Sequence, residues 1–192
     1  MSKEKAKLPI IVRDAQIEDV NFIFSSWLKS FRGGLLCKNV DNTIYFAEHH
    51  KLIEKLLKRS TLKIACDAND VASIVGWTCY EKIDGIMVIH YAYTKHYFRG
   101  LGIQREIMKH MNHDISTAGI YTHDTLQGAR LSIKYNLIYH PYILLNYNDG
   151  KETKNLAAVD KKEDKDITEL LQETKVNHKK AKVELSFDDK KE

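Results

Sequence analysis

The stretch Tyr91-Ala-Tyr-Thr-Lys-His-Tyr-Phe-Arg-Gly-Leu-Gly-Ile-Gln-Arg-Glu-Ile-Met carries the densest chemical signal in the chain. A strand-like run enters a short basic loop holding Gly100 and Gly102, and an amphipathic helix starts directly after it. A helix N-terminus offers unpaired backbone N–H groups and the positive end of its dipole, which suits phosphate oxygens. Glycines at the turn let the backbone approach those oxygens closely, and Lys95, Arg99 and Arg105 add positive charge. The pattern points to an anionic, phosphate-bearing ligand. The competing reading is an ordinary strand-to-helix turn with glycines for geometry alone.

Immediately before the loop, Ile86 to Thr94 contains no carboxylate, and His90 is its one side chain suited to proton transfer near neutrality. Strand alternation places Val88, His90 and Ala92 on one face and Ile89, Tyr91 and Tyr93 on the other. A hydrogen-bonded core histidine is the alternative for His90. Glu48-His49-His50 is not H-E-x-x-H, and adjacent histidines on a helix diverge, so no zinc site is expected. Tyr91, Tyr93, Tyr97 and Phe98 could stack on bases, although strand burial accounts for the first two. Trp27 and Phe31 read as core, with a wall of an acceptor site as the second role.

The elements that must position these groups follow from periodicity. Ile10 to Arg13 reads as a strand. Val20, Ile23, Phe24, Trp27, Leu28 and Phe31 share one helical face, and Gly33-Gly34 ends that helix. A second helix begins near Asn42 and closes at Arg59-Ser60. The period then becomes strand-like over Leu62 to Cys66 and Ser73 to Glu81, joined through Asp67 to Asp70. Asp84-Gly85 marks a tight hairpin into Ile86 to Thr94. A helix over Gly102 to Asn112, a strand over Ile120 to Thr122, a helix over Leu126 to Tyr135 and a last strand over Tyr142 to Tyr147 complete the order β-α-α-β-β-β-α-β-α-β.

With that order in place, Arg99-Gly-Leu-Gly-Ile-Gln resembles the pyrophosphate loop of the GNAT (GCN5-related N-acetyltransferase) superfamily, Gln/Arg-x-x-Gly-x-Gly/Ala. Two of its three defining positions match, and Gln104 stands where Gly or Ala is usual. The resemblance covers Ile10 to about Tyr147. It implies an α/β (α+β) GNAT-like fold, a central mixed, mostly antiparallel sheet flanked by helices. It also implies acetyl-CoA as co-substrate, held by Ala92, Tyr93, Thr94, Arg99, Gly100, Leu101, Gly102, Ile103 and Gln104, with no metal.

Acetyl transfer to an amine needs a proton acceptor for the amine and a donor for the departing thiolate. The family often places a carboxylate on the fourth strand and a tyrosine after the fifth. Here the carboxylate is absent, leaving His90. The later family pattern Asn-x-x-Ala-x-x-x-Tyr is poorly kept: with Ala129 in register, Leu126 and Ile133 fill the outer positions, and Tyr135 lies two residues further on. Tyr135 is thus the candidate acid, with packing beneath Tyr139 and Pro141 as its other role. His123 and Asp124 also face the acceptor on this reading, and a helix N-cap suits Asp124 equally. No cysteine lies in this region to argue for an acyl-enzyme. The implied activity is N-acetyl transfer from acetyl-CoA to a small-molecule or protein amine. The rival is a GNAT-fold protein without catalysis, serving as a binding or structural part. Phe22-Ile-Phe-Ser-Ser-Trp-Leu-Lys-Ser-Phe-Arg and Tyr45-Phe-Ala-Glu-His-His-Lys-Leu-Ile-Glu also resemble small GNAT-like proteins of bacteriophages, which keeps a virion or host-takeover role in view.

Composition sets the outer bounds. The 192 residues are 43% hydrophobic and 29% charged, enough for one domain with its own core. Residues 149–192 hold 11 Lys and 12 Asp/Glu with Phe187 as their only aromatic, and read as a largely disordered charged tail. The domain is thus residues 1–148, with 19 Lys/Arg against 14 Asp/Glu. That excess suits an anionic ligand but is too small to argue for nucleic acid. No run approaches 18 apolar residues, so no membrane partner is expected. Cys37, Cys66 and Cys79 form no C-x-x-C pair, which fits a reducing, cytoplasmic setting (the host's, if the chain is viral). A homodimer is left open.

Overall fold

The computed structural model describes residues 9–148. The charged tail expected beyond residue 148 lies outside the described residues. In chain order the elements are β1 (Ile10–Asp14), α1 (Val20–Arg32), α2 (Asn42–Leu57), β2 (Thr61–Asp67), β3 (Asp70–Ile83), β4 (Ile86–Thr94), α3 (Ile103–His110), β5 (Gly119–Tyr121), α4 (Leu126–Tyr135) and β6 (Leu137–Tyr139). The six strands lie side by side in sequence order. β1 to β4 are antiparallel, while β5 runs parallel to β4 and β6 parallel to β5. This is the mixed, mostly antiparallel, helix-flanked α/β sheet expected from the sequence.

Local chemistry explains the boundaries. Asp41 caps α2 by accepting from Thr43 N at 2.7 Å and Ile44 N at 3.2 Å. Asp84 and Gly85 both take positive φ, 51° and 81°, the turn that matches the twist of β3 and β4. At Gly76 an added Cβ would lie 2.8 Å from Tyr93 O and 2.9 Å from Ile103 Cγ2, so only glycine lets α3 sit against β3.

Two apolar layers cover the sheet. Consecutive β3 residues show this directly, with Trp77 packed on Trp27 of α1 and Thr78 bonded to Gln104 of α3. On the α1 side Trp27, Phe31, Trp77 and Tyr91 interlock, and Ser26 and Ser30 make room for the rings while accepting from Trp77 Nε1 (2.9 Å) and pairing with the Tyr91 hydroxyl (2.9 Å). On the α3 side Val75, Ile89, Ile107, Met108, Tyr135 and Leu137 pack together. Each such side chain contributes about 1.5–3 kcal/mol by leaving water.

Two expectations are corrected. The last strand is not Tyr142–Tyr147: Pro141–Asn148 forms a 3₁₀ segment, and the sixth strand is Leu137–Tyr139. Asn136, at φ 51°, turns the chain back as soon as α4 ends, and Leu137 buries beside β5 before the later apolar run can reach that edge. The second correction concerns alternation in β4. Cys79 pairs with Tyr91 and Tyr80 with Ile89, so His90 is an extra residue with nothing opposite it. This β-bulge flips the faces, sending Ile89 to the α3 layer and Tyr91 to the α1 layer.

Candidate functional site

The bulge at His90 opens the sheet. The β4–β5 ladder spans only Val88↔Ile120 and Ile89↔Tyr121, followed by Thr122 N donating to Ile89 O at 3.1 Å. β4 then runs on to Thr94 while β5 has ended. Lys95 N donates to Val75 O at 2.9 Å, which sets the phase of the β3–β4 ladder and directs the N–H and C=O of Ala92 away from β3, toward the side β5 has left. The resulting cleft is narrow, with about 20 Å³ of free volume, and is lined among others by Ala92, Gln104, Tyr121, His123, Gly128 and Tyr135.

At the mouth of this cleft the basic loop turns into α3. Gly100 and Gly102 sit at φ 81° and 84°, a left-handed backbone that other residues adopt only with strain. Gly102 is the N-cap of α3 and brings no side-chain cap, so the first-turn N–H groups stay available to a ligand. Arg99 and Arg105 are exposed, Arg99 Nε donates to Thr94 O at 3.2 Å, and Lys95 lies 4.9 Å over the Phe22 ring. Gln104 points back onto the sheet. Its amide accepts from Thr78 Oγ1 at 2.7 Å and donates to Tyr93 O at 2.8 Å. A residue larger than the usual Gly or Ala fits because its side chain is tied down beside the backbone path. These groups suit a pyrophosphate: two positive-φ glycines, an uncapped helix start and two exposed guanidinium groups.

The candidate acid–base residues lie deeper. His90 is 1% exposed and bonded at both nitrogens, Nε2 to Glu81 Oε1 at 3.0 Å and Nδ1 to Thr122 Oγ1 at 3.2 Å. Glu81 also accepts from Arg59 Nε at 3.0 Å. Thr122 Oγ1 in turn pairs with His123 Nδ1 at 2.9 Å. A continuous polar chain, Arg59–Glu81–His90–Thr122–His123, therefore crosses the apolar sheet and ends at the cleft. Burial lowers the His90 pKa against the opposing Glu81 bond, and burial with neighbouring His49 and His90 holds His123 well below the ordinary histidine range. His123 is 5% exposed, ringed by Trp27, Phe31, His49 and Tyr91, and its Nε2 has no hydrogen-bond partner.

Tyr135 stands on the other wall, in the α3 layer. It is 8% exposed and its hydroxyl, also without a partner, is raised in pKa by burial, which outweighs nearby Arg105. Its neighbours include Met108 and Leu137. His123 and Tyr135 are thus two buried polar groups, each with an unspent atom, on one cleft.

Other sequence candidates are placed elsewhere. Asp124 is exposed, and Thr125 caps α4 instead, its hydroxyl accepting from Gly128 N at 2.9 Å. Thr125 wins because its backbone is extended at the helix boundary, as a cap requires. His49 is stacked between Phe31 and Tyr45, and His50 lies against Phe24. No group of His, Cys, Asp or Glu that could hold a metal occurs among the described residues. Sequence reasoning missed Glu81 and Thr122. The signal for Glu81 was present, a carboxylate ending an otherwise apolar run in β3.

No family model and no curated protein sequence matches the chain. Solved structures, among them a GNAT-family acetyltransferase, do resemble parts of it. One is the histone acetyltransferase HPA2 and related acetyltransferase of Corynebacterium glutamicum, at 15% identity and a TM-score of 0.47 over 65% of this chain and 82% of that one. A GNAT-family acetyltransferase of Staphylococcus aureus aligns at 12% identity and a TM-score of 0.38 over 53% of this chain and 62% of that one. The apo form of YjaB from Escherichia coli aligns at 20% identity and a TM-score of 0.40, with 53% and 63% covered. The chain therefore spans less than two thirds of the length of the last two. No helix among the described residues is long and apolar enough to cross a membrane.

Proposed function

We propose that the chain is an N-acetyltransferase that uses acetyl-CoA and acts on an amine, with His123 and Tyr135 serving the proton transfers. The observation that carries this reading is the coincidence of the β4–β5 opening with the glycine loop: the bulge at His90 exposes Ala92, and Gly102 starts α3 at the same mouth. The loop N–H groups, Arg99 and Arg105 would hold the pyrophosphate, and the freed edge of β4 at Ala92, Tyr93 and Thr94 would hold the amide-bearing arm.

Acetyl-CoA supplies an acetyl thioester whose C–S bond is exchanged for a C–N bond, the amine losing one proton and CoA leaving as the thiol. The chain's own residues handle the rest. His123 Nε2, neutral and without a partner, is suited to take the amine proton. The Tyr135 hydroxyl, kept protonated by burial, is suited to give one to the leaving sulfur. His90 would act through His123 rather than on substrate, since both its nitrogens are engaged. The three cysteines are free and buried, and burial raises their thiols, Cys79 to about 12, so none is poised for an acyl-enzyme.

Calorimetry with acetyl-CoA and with CoA, followed by free-thiol release over a panel of small and peptide amines, tests the reading. Binding plus release upholds it; absence of binding removes it. A second reading, a GNAT-fold binding protein without catalysis, is favoured by the enclosure of both His123 and Tyr135 in a cleft of about 20 Å³. Binding without release for any amine would select it.

A further inference from the structure

We propose that Glu81 is a positioning residue which, through His90 and Thr122, holds the His123 proton on Nδ1 and leaves a bare lone pair on Nε2. The consequence for catalysis rests on the transferase reading above; the protonation pattern itself does not.

The pattern follows from counting donors along the chain. The Arg59 guanidinium pairs with one Glu81 oxygen, which favours the carboxylate, and a carboxylate can only accept. His90 Nε2, 3.0 Å from the other oxygen, must then carry the ring proton. Burial keeps His90 neutral, so its Nδ1 is an acceptor and takes the Thr122 hydroxyl proton across 3.2 Å. With its hydrogen committed there, Thr122 Oγ1 accepts from His123 Nδ1–H across 2.9 Å. The remaining His123 nitrogen, Nε2, has no proton and no protein partner. The reverse direction would require a doubly protonated His90 in the core or a protonated Glu81 beside Arg59. Thr122 Oγ1 can also donate to His90 O, but that contact is long at 3.5 Å; the His90 carbonyl is also a backbone acceptor for the His123 ring.

The surroundings leave this arrangement undisturbed. α1 presents Trp27 and Phe31, which do not titrate. α2 presents His49, pushed down to about 4 by burial and then by His50. β4 presents His90 and Tyr91, the latter pushed up to about 12 by burial. Among the described residues, the charged groups named as acting on His90 are Glu81, 3.0 Å away, and Arg59 behind it. An amine proton arriving at Nε2 would form an imidazolium whose Nδ1–H still points into the chain and whose charge is offset by Glu81.

The test is a long-range ¹H–¹⁵N correlation spectrum of the full chain, uniformly labelled with ¹⁵N, at pH 7.5. The parent should show His123 with protonated-type Nδ1 and unprotonated-type Nε2. Thr122→Val keeps the shape but removes the hydroxyl, and should collapse that preference to a mixture of tautomers; Thr122→Ser should restore it. Glu81→Met should act as Thr122→Val does, and if it fails to fold, the Thr122 pair still decides. In thiol-release assays Thr122→Val should lower kcat at least tenfold with acetyl-CoA affinity held within twofold. A parent His123 protonated on Nε2, or a Thr122→Val spectrum like the parent's, overturns the proposal. If the tautomer is as stated but no amine releases CoA, the transferase reading fails and the positioning chain stands.

Discussion

Tyr135 offers a direct way to separate a residue kept for chemistry from one kept for packing. Its ring is buried among Met108, Leu137 and their neighbours, yet its hydroxyl has no hydrogen-bond partner. A hydroxyl buried without a partner costs about 1–3 kcal/mol of folding free energy. Tyr135→Phe removes that oxygen and keeps the ring, so it should leave stability unchanged or raise it by about 1 kcal/mol. For a domain of this size that is about 3 °C in Tm. The control is Tyr91→Phe, whose hydroxyl is satisfied by Ser30 Oγ at 2.9 Å; losing that bond should cost about 1 kcal/mol and move Tm the other way. Calorimetric melts and thiol-release kinetics would be measured on the same preparations. If Tyr135 is the acid, kcat should fall by about 10²-fold or more while acetyl-CoA affinity is held. A drop in Tm of several degrees for Tyr135→Phe would show that the hydroxyl is bonded and structural. An unchanged kcat would remove it from the chemistry.

Three further outcomes are expected. Gly102→Ala forces a side chain into φ 84° with its Cβ 3.0 Å from the Arg105 guanidinium, and should weaken acetyl-CoA binding at least tenfold by calorimetry. Gly85→Ala, equally strained at φ 81° but in open space on the β3–β4 turn, should cost similar stability and leave binding intact; equal losses of binding would refute the loop assignment. Asp19 is 5% exposed and takes two bonds from Arg13, at 2.5 and 2.9 Å; burial raises its pKa, but Arg13 and the Gln16 N–H outweigh it and leave the carboxyl below its ordinary value. A depressed carboxylate stabilises above its unfolded pKa and loses that contribution as pH falls. Asp19→Asn should therefore cost about 3 kcal/mol at pH 7 in urea unfolding, and progressively less as pH falls below the ordinary carboxylate range toward the lowered folded pKa; a constant difference would contradict this. His49, His90 and His123 are all held neutral by burial, so the unfolded chain binds more protons than the fold below about pH 6.5. The urea midpoint should fall steadily from pH 6.5 toward 5, and a flat profile would mean that these rings protonate without unfolding.

Elements whose signals are local could be read from the sequence. The α2 limits follow from Asp41 before Asn42 and from the break at Arg59-Ser60, and the β3–β4 hairpin from Asp84-Gly85. The final strand failed because pairing is a competition: Tyr142 to Tyr147 has the composition of a strand, but Leu137–Tyr139 reaches the β5 edge first. The bulge was hidden for a related reason. His90 is an extra residue only by comparison with β3, so one strand read alone keeps its alternation. The same register conceals Glu81 and His90, nine positions apart in sequence and 3.0 Å apart in space. Their histidine and carboxylate could be noticed separately, but the link between them is a property of two strands and a bulge.

That bulge also accounts for where the two candidate proton-transfer groups stand. His123 sits under α1 and α2, among Trp27, Phe31 and His49, whereas Tyr135 sits in the α3 layer with Met108 and Leu137. The two layers cover opposite faces of the sheet, and both groups line the one opening between β4 and β5. On the proposed reading a thioester threaded along β4 at Ala92 would then meet its base from one face and its acid from the other. Such an arrangement suits direct attack within a ternary complex, because a proton is removed and a proton supplied on opposite sides of the reacting carbon. A regular β4, with no extra residue at His90, would pair on toward Thr122 and His123 and close the passage between these layers. On that reading, the bulge is the structural feature that would give both groups access to one substrate.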